Sequence, residues 1–235
     1  MKKLFAMTVA VLLLFSVLLG IPAAYGQAPE TGKTLDILFS HDTHSHLNAF
    51  TTVVEDEEAD IGGFARANTL IKAQRAKDPD TLVIDGGDFS MGTLIQTVFE
   101  TQAAELRMLG YMGYDVTTLG NHEFDYGMDR AKAIMKEADF PYLSCNWVDL
   151  RTTLRVLPSV KVFVRGGRRI AFVGVTTPET FTKSTPAYFM DKAQRKYIYD
   201  IQGGEDGKKL YDAVQKAIDK AKLLADVVIG LGHLG

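Results

Sequence analysis

Five apolar runs constrain this chain more than any other feature, because each is too short for a helix and each is closed by turn residues. They are LDILFS (35–40), TLVID (81–85), DVTTL (115–119), YLSCN (142–146) and DVVIGL (226–231). Uninterrupted apolar runs of this kind fit strands covered on both faces. Between them lie stretches of helical character over 63–77, 95–112, 128–138 and 207–225. Strand and helix alternate, which predicts a layered α/β domain. One pair differs: VKVFV (160–164) and RRIAFVGV (168–175) are separated by a turn containing Gly166 and Gly167, the signature of a hairpin. At least one antiparallel pair is therefore expected in the sheets. Residues 176–206 have no clear period and read as a long functional or mobile loop.

Composition bounds the rest. With 46% hydrophobic and 23% charged residues the chain is a folded globular protein, and its net charge of −3 suggests neither a nucleic acid polymer nor an anionic membrane as partner. Lys2 and Lys3 precede an apolar run over 4–19, followed by Gly20, Pro22 and the small-residue pattern Ala24-Tyr25-Gly26. This reads as a signal peptide over 1–26, cut after Gly26, with a polar leader over 27–34. The run is shorter than the ~20 residues that span a bilayer, so no stable membrane anchor is expected and the product would be exported, periplasmic or extracellular. Cys145 is the only cysteine, so stability must come from the core or from bound metal, and its place after PYLS suits a buried structural thiol.

The chemistry sits just past the strands. LDILFS is followed by His41-Asp42-Thr43-His44, TLVID by Gly86-Gly87-Asp88, DVTTL by Gly120-Asn121-His122-Glu123, and DVVIGL by Gly232-His233. In open α/β sheets ligands bind beyond the carboxyl ends of strands, so these turns should face one crevice. Aspartate, asparagine and imidazole without thiolate suit zinc, manganese, iron or cobalt better than an all-oxygen calcium site. Asp88, arriving from a central strand, could bridge two ions. Each motif alone has a plainer explanation: D-x-H triplets arise by chance, GGD is a common turn, and Asn121 could cap a helix beside a solvated histidine. Their succession at equivalent places is what argues for a site.

HDTHSHL, VIDGGDFSMGT, TLGNHEFDYG, FVGVTTPET and IGLGHLG together resemble the amino-terminal metallophosphoesterase domain of the 5′-nucleotidase family, over residues 35–235. The resemblance implies a calcineurin-like sandwich of mixed sheets flanked by helices. It implies two divalent ions (zinc, manganese or cobalt, with magnesium as the alternative), with Asp42 and His44 on the first, Asp88 bridging, and Asn121 and His233 on the second. His122 would be catalytic rather than a ligand, oriented by Asp125 three residues on. The implied reaction is hydrolysis of a nucleotide phosphate ester by metal-activated water.

Two departures from the family pattern stand out. The family has Asn before the first Asp, where this chain has His41, read here as a hydrogen-bonding neighbour of the site or a structural histidine; His46 stays open between pocket rim and surface. The family also has a further histidine-rich motif and a substrate-gripping carboxyl-terminal domain beyond GHLG, so the chain is expected to be a fragment with incomplete metal sites. The alternatives are a hydrolase of the same fold acting on a sulfur ester, and an extracellular binding module without turnover. Oligomeric state is not legible.

Overall fold

The structure, a computed structural model, describes residues 34–191 and 193–234. The expected signal peptide (1–26) and all of the leader before Thr34 lie outside the described residues. The chain runs through β1 (Ile37–Ser40), the hairpin β2 (Phe50–Val54) and β3 (Glu57–Ile61), α1 (Phe64–Lys77) and β4 (Leu82–Asp85). Then come α2 (Phe99–Gln102), α3 (Ala104–Met112), β5 (Val116–Thr117), α4 (Met128–Ile134), β6 (Trp147–Asp149) and β7 (Leu154–Arg155). The second half holds β8 (Val160–Arg165), β9 (Arg168–Thr176), α5 (Thr180–Lys183), β10 (Met190–Asp191), β11 (Lys196–Tyr197), β12 (Tyr199–Ile201), α6 (Lys208–Lys222) and β13 (Val227–His233).

Two sheets carry the architecture. One is parallel in the order β1-β4-β5; the other has the order β13-β9-β8, with β13 parallel and β8 antiparallel to β9. Successive side chains of a strand face opposite ways, and here that alternation builds the layers. Leu82 and Ile84 of β4, Val116 of β5, Ile170 and Phe172 of β9 and Leu231 of β13 form one apolar cluster between the sheets. Val83 faces away from them, into a larger cluster with Ile71 of α1, Leu109 of α3 and Ile134 of α4. Ala171 and Val173 of β9 likewise turn outward, onto Ala217 and Ala221 of α6. The buried alanines of α6 recur every fourth residue, and their small size lets the helix lie close on the strand. The layers are thus helix, sheet, sheet, helix: the expected α/β sandwich of mixed sheets flanked by helices.

The expected hairpin is present, with Gly166 and Gly167 both at positive φ. Elsewhere local detail departs from the sequence reading. Residues 142–146 are not a strand: Leu143 N bonds Thr117 O, whereas Cys145 N bonds Gly174 O, so the segment passes from one sheet to the other and can continue neither ladder. The helix expected over 95–112 breaks at Ala103, whose φ of 47° is left-handed, and a 3₁₀ turn (Leu94–Val98) precedes the break. The stretch 176–206 contains α5, a 3₁₀ turn and three short strands, pinned by Phe181 against Phe189 and Tyr197. The β2–β3 hairpin escaped notice because its turn, Glu55-Asp56, reaches positive φ without glycine. Cys145 is fully buried, and burial pushes its thiol up to about 11, as suits a structural rather than nucleophilic group.

Candidate metal centre

Parallel strands put the carboxyl ends of β1, β4 and β5 along one edge, and the loops that follow are laced together by backbone hydrogen bonds. Asp42 N donates to Gly87 O at 3.1 Å, His44 N to Asp88 O at 3.2 Å and Ser45 N to Phe89 O at 2.8 Å. The third loop joins through Asp88, whose Oδ1 accepts from His122 N at 2.8 Å. Such closeness requires glycine at two places. A Cβ on Gly87, which sits at φ 91°, would collide with the Gly120 amide nitrogen, and a Cβ on Gly120 would collide with the Asp88 carboxylate.

Asp42, His44 and Asp88 each offer one ligand atom, and these atoms all lie within 4.8 Å of one another. His44 Nε2 is 3.7 Å from Asp42 Oδ1. From the second sheet, the end of β13 brings His233 Nε2 to 3.3 Å from Asp88 Oδ2 and 3.9 Å from Asp42 Oδ1. Asn121 is 6% exposed and lies between Gly120 and His122; it precedes the 3₁₀ turn His122–Phe124 but its side chain does not cap it, which removes the plain capping explanation. Asp42, His44, Asp88 and His233 thus bring ligand atoms together, and Asn121 lies on the loop that bonds Asp88 through the next residue's amide. Asp88 and His233 form the buried floor of the cluster, while Asp42 and His44 are partly open to solvent.

The donor set fits divalent metal. His44 Nδ1 donates to Ser90 O at 3.1 Å and His233 Nδ1 donates to Gly86 O at 3.0 Å. A carbonyl can only accept, so each neutral ring presents the lone pair of Nε2 to the carboxylates, the tautomer and orientation that a metal-ligating histidine needs. Several acceptors facing one another repel unless a cation, or a proton, lies among them. The bond to Asp88 raises His233 above its ordinary value. Burial pushes Asp88 up, but its bonds to His233 and the His122 amide outweigh that and leave it lowered.

His122 and Asp125 form the expected pair, with Nδ1 to Oδ2 at 2.6 Å, and this bond raises the His122 value against the opposing effect of burial. The His122 ring stands edge-on to His44, centroids 5.3 Å apart. His41 donates from Nδ1 to Asp42 Oδ2 at 2.6 Å and stacks on Phe39, leaving Asp42 Oδ1 to face the two imidazoles. His46 instead bonds Thr43 O and lies against Phe50.

Two buried acids were not singled out from the sequence. Glu123 accepts from Asp88 N at 2.9 Å and from Gly120 N at 2.6 Å, tying two loops together; burial, then the Asp88 and Asp85 charges, raise its carboxyl well above the usual range. Asp85, pushed up to about 6 by burial, holds Ser40, the Gly87 amide and Thr117. The one sequence signal was an acid placed between a histidine and a phenylalanine in GNHEF.

Comparison with known proteins agrees with this geometry. The calcineurin-like phosphoesterase family profile matches residues 36–234. The mouse 5′-nucleotidase is 31% identical over 230 residues, covering 93% of this chain and 37% of that protein. A 2′,3′-cyclic-nucleotide 2′-phosphodiesterase/3′-nucleotidase of Haemophilus influenzae is 29% identical over 218 residues, covering 86% of this chain and 31% of that protein. Among solved structures, a 5′-nucleotidase precursor from Thermus thermophilus superposes with a TM-score of 0.66 at 26% identity, covering 86% of this chain and 37% of that one. The chain spans about a third of the length of these relatives. No helix among the described residues is long and apolar enough to cross a membrane. A family profile matched from the start of β1 to the end of β13, on a sandwich whose strand ends gather aspartate and imidazole, makes this chain a member of the calcineurin-like phosphoesterase family of metal-dependent phosphoester hydrolases.

Proposed function

We propose that the chain hydrolyses a phosphate ester of a nucleotide at a dinuclear metal site, and that it is the metal-binding part of a longer enzyme. The observation that carries this reading is the meeting of Asp42, His44, Asp88 and His233, with both imidazole Nε2 atoms turned inward. The nucleotide as substrate class rests on the three relatives above, all named for nucleotidase activity. Asp42 and His44 would hold one ion, Asn121 and His233 the other, and Asp88 would hold both; zinc, manganese or cobalt suit this nitrogen and oxygen set.

When bound, the ions supply Lewis-acid polarisation of the phosphoryl group and lower the pKa of water toward neutrality. The protein's own residues supply the rest. Asp125 keeps the His122 ring in place with Nδ1 protonated and favours its cationic form, so that Nε2 can donate to the phosphoryl group or to the departing ester oxygen. Water's oxygen joins phosphorus as the bond from phosphorus to the ester oxygen breaks; the departing oxygen takes the His122 proton, and the proton that water gives up passes to solvent, from which His122 is reprotonated. Glu123 fixes the spacing of the Asp88 and Gly120 loops.

The test is phosphate release from AMP in Mn²⁺ or Co²⁺, by this chain and by the full reading frame. Metal-dependent release that disappears with Asp88→Ala is expected of the full-length protein. Absence of release from AMP, from other nucleoside monophosphates and from cyclic nucleotides would overturn the substrate assignment.

A further inference from the structure

The loop that carries His44 is built in an unfavourable backbone conformation. Asp42, His44 and Ser45 all have left-handed φ, at 49°, 43° and 57°, which side chains with a Cβ avoid unless their surroundings hold them there. Most of the bonds holding this loop come from its neighbour after β4: Ser45 N to Phe89 O, Thr93 Oγ1 to Ser45 O at 2.7 Å, and His44 Nδ1 to Ser90 O. One restraint comes from farther away. Ser45 Oγ donates to Glu105 Oε1 at 2.5 Å, sixty residues along the chain, where Glu105 occupies the first turn of α3.

Glu105 is costly where it stands. It is fully buried, it lies beside Leu106 and Leu109 of the core, and among the described residues its side chain's sole hydrogen bond is the one from Ser45, with Oε2 bonding nothing. A carboxyl group in such surroundings is hard to explain by stability, since a leucine or methionine would fill the place without desolvating a polar group. Its geometry explains it better: the acid ties a rigid helix to the residue next to a metal ligand.

We propose that Glu105 is a positioning residue, which through Ser45 holds the left-handed turn that aims His44 Nε2 at Asp42 and Asp88. The inference rests on the metal-site reading above and goes beyond it, because among the described residues Glu105 hydrogen-bonds none of the proposed metal ligands. Partners of this kind commonly alter metal affinity by about 10–100-fold.

The experiment titrates the purified chain with Co²⁺, following affinity by calorimetry and site geometry by the visible absorption of the bound ion. Four variants are compared: Glu105→Ala, Glu105→Gln, Ser45→Ala and His44→Ala. Glu105→Ala should weaken Co²⁺ binding about tenfold or more and change the absorption bands. Glu105→Gln keeps an acceptor for Ser45 and should restore both toward wild type. Ser45→Ala removes a single hydroxyl, so it should fold where Glu105→Ala does not, and it should reproduce the loss. If Ser45→Ala and folded Glu105→Ala keep wild-type affinity and spectrum while His44→Ala loses binding, the positioning role is overturned and the metal site stands. If His44→Ala also binds normally, the metal-site reading itself fails and this inference with it.

Discussion

In the proposed site, His122 stands beside the ligands without being one of them. Its amide donates to Asp88 and its Nδ1 to Asp125, so the ring is restrained while Nε2 makes no hydrogen bond among the described residues. His122→Ala should lower kcat by about 10²- to 10⁴-fold, the usual contribution of a general acid or base, with metal content retained; Asp88→Ala should lose metal. Equal metal loss in both variants, measured by elemental analysis, would refute the division of roles. The pH dependence has a definite sign. Because Asp125 raises the His122 value above 6.5, the favourable interaction is fully present below 6.5 and is lost as pH rises through the raised value; the protonated donor declines over the same range. Asp125→Asn removes the largest cause of the shift, so the basic limb of kcat/KM should move to lower pH.

At the scale of elements, β9 is the strand on which most packing depends. It is buried over Ile170–Thr176, with alternate side chains serving the inter-sheet cluster and the α6 cluster. Phe172→Ala, at a fully enclosed position against Phe163, should cost about 3–5 kcal/mol, read from urea denaturation, whereas Phe39→Ala, at 55% exposure, should change the midpoint little. This strand was legible because both its faces are covered, which writes an unbroken apolar run. Residues 142–146 write a similar run for a different reason: they pass between the sheets, buried on all sides without sharing a ladder, and apolar character alone does not distinguish the two. The break at Ala103 was not legible either, since alanine favours helix and only the surrounding core imposes its left-handed φ.

For the molecule as a whole, the candidate centre spans the two sheets: Asp42, Asp88 and Asn121 follow strands of the first, and His233 ends a strand of the second. A ligand held by all of them favours the assembled sandwich over the unfolded chain. Mn²⁺ or Co²⁺ at a hundred times its dissociation constant should stabilise the fold by about 2.7 kcal/mol, a rise of roughly 5–10 °C in Tm for a domain of this size. Chelation should reverse the rise and Asp88→Ala should abolish it; an unchanged Tm in saturating metal would show that the folded site does not bind it.

The alternation of the main strands and helices, the hairpin at Gly166-Gly167 and the placing of aspartate, asparagine and histidine just past strand ends were legible in the sequence alone, because they depend on local pattern: apolar runs, glycines and the residues beside them. Only the tertiary structure decided which sheets face each other, which ring nitrogen each histidine turns inward, and that Glu123, Asp85 and Glu105 are buried acids holding loops together. Most of those facts depend on partners 32 to 147 residues apart, which local sequence pattern does not record.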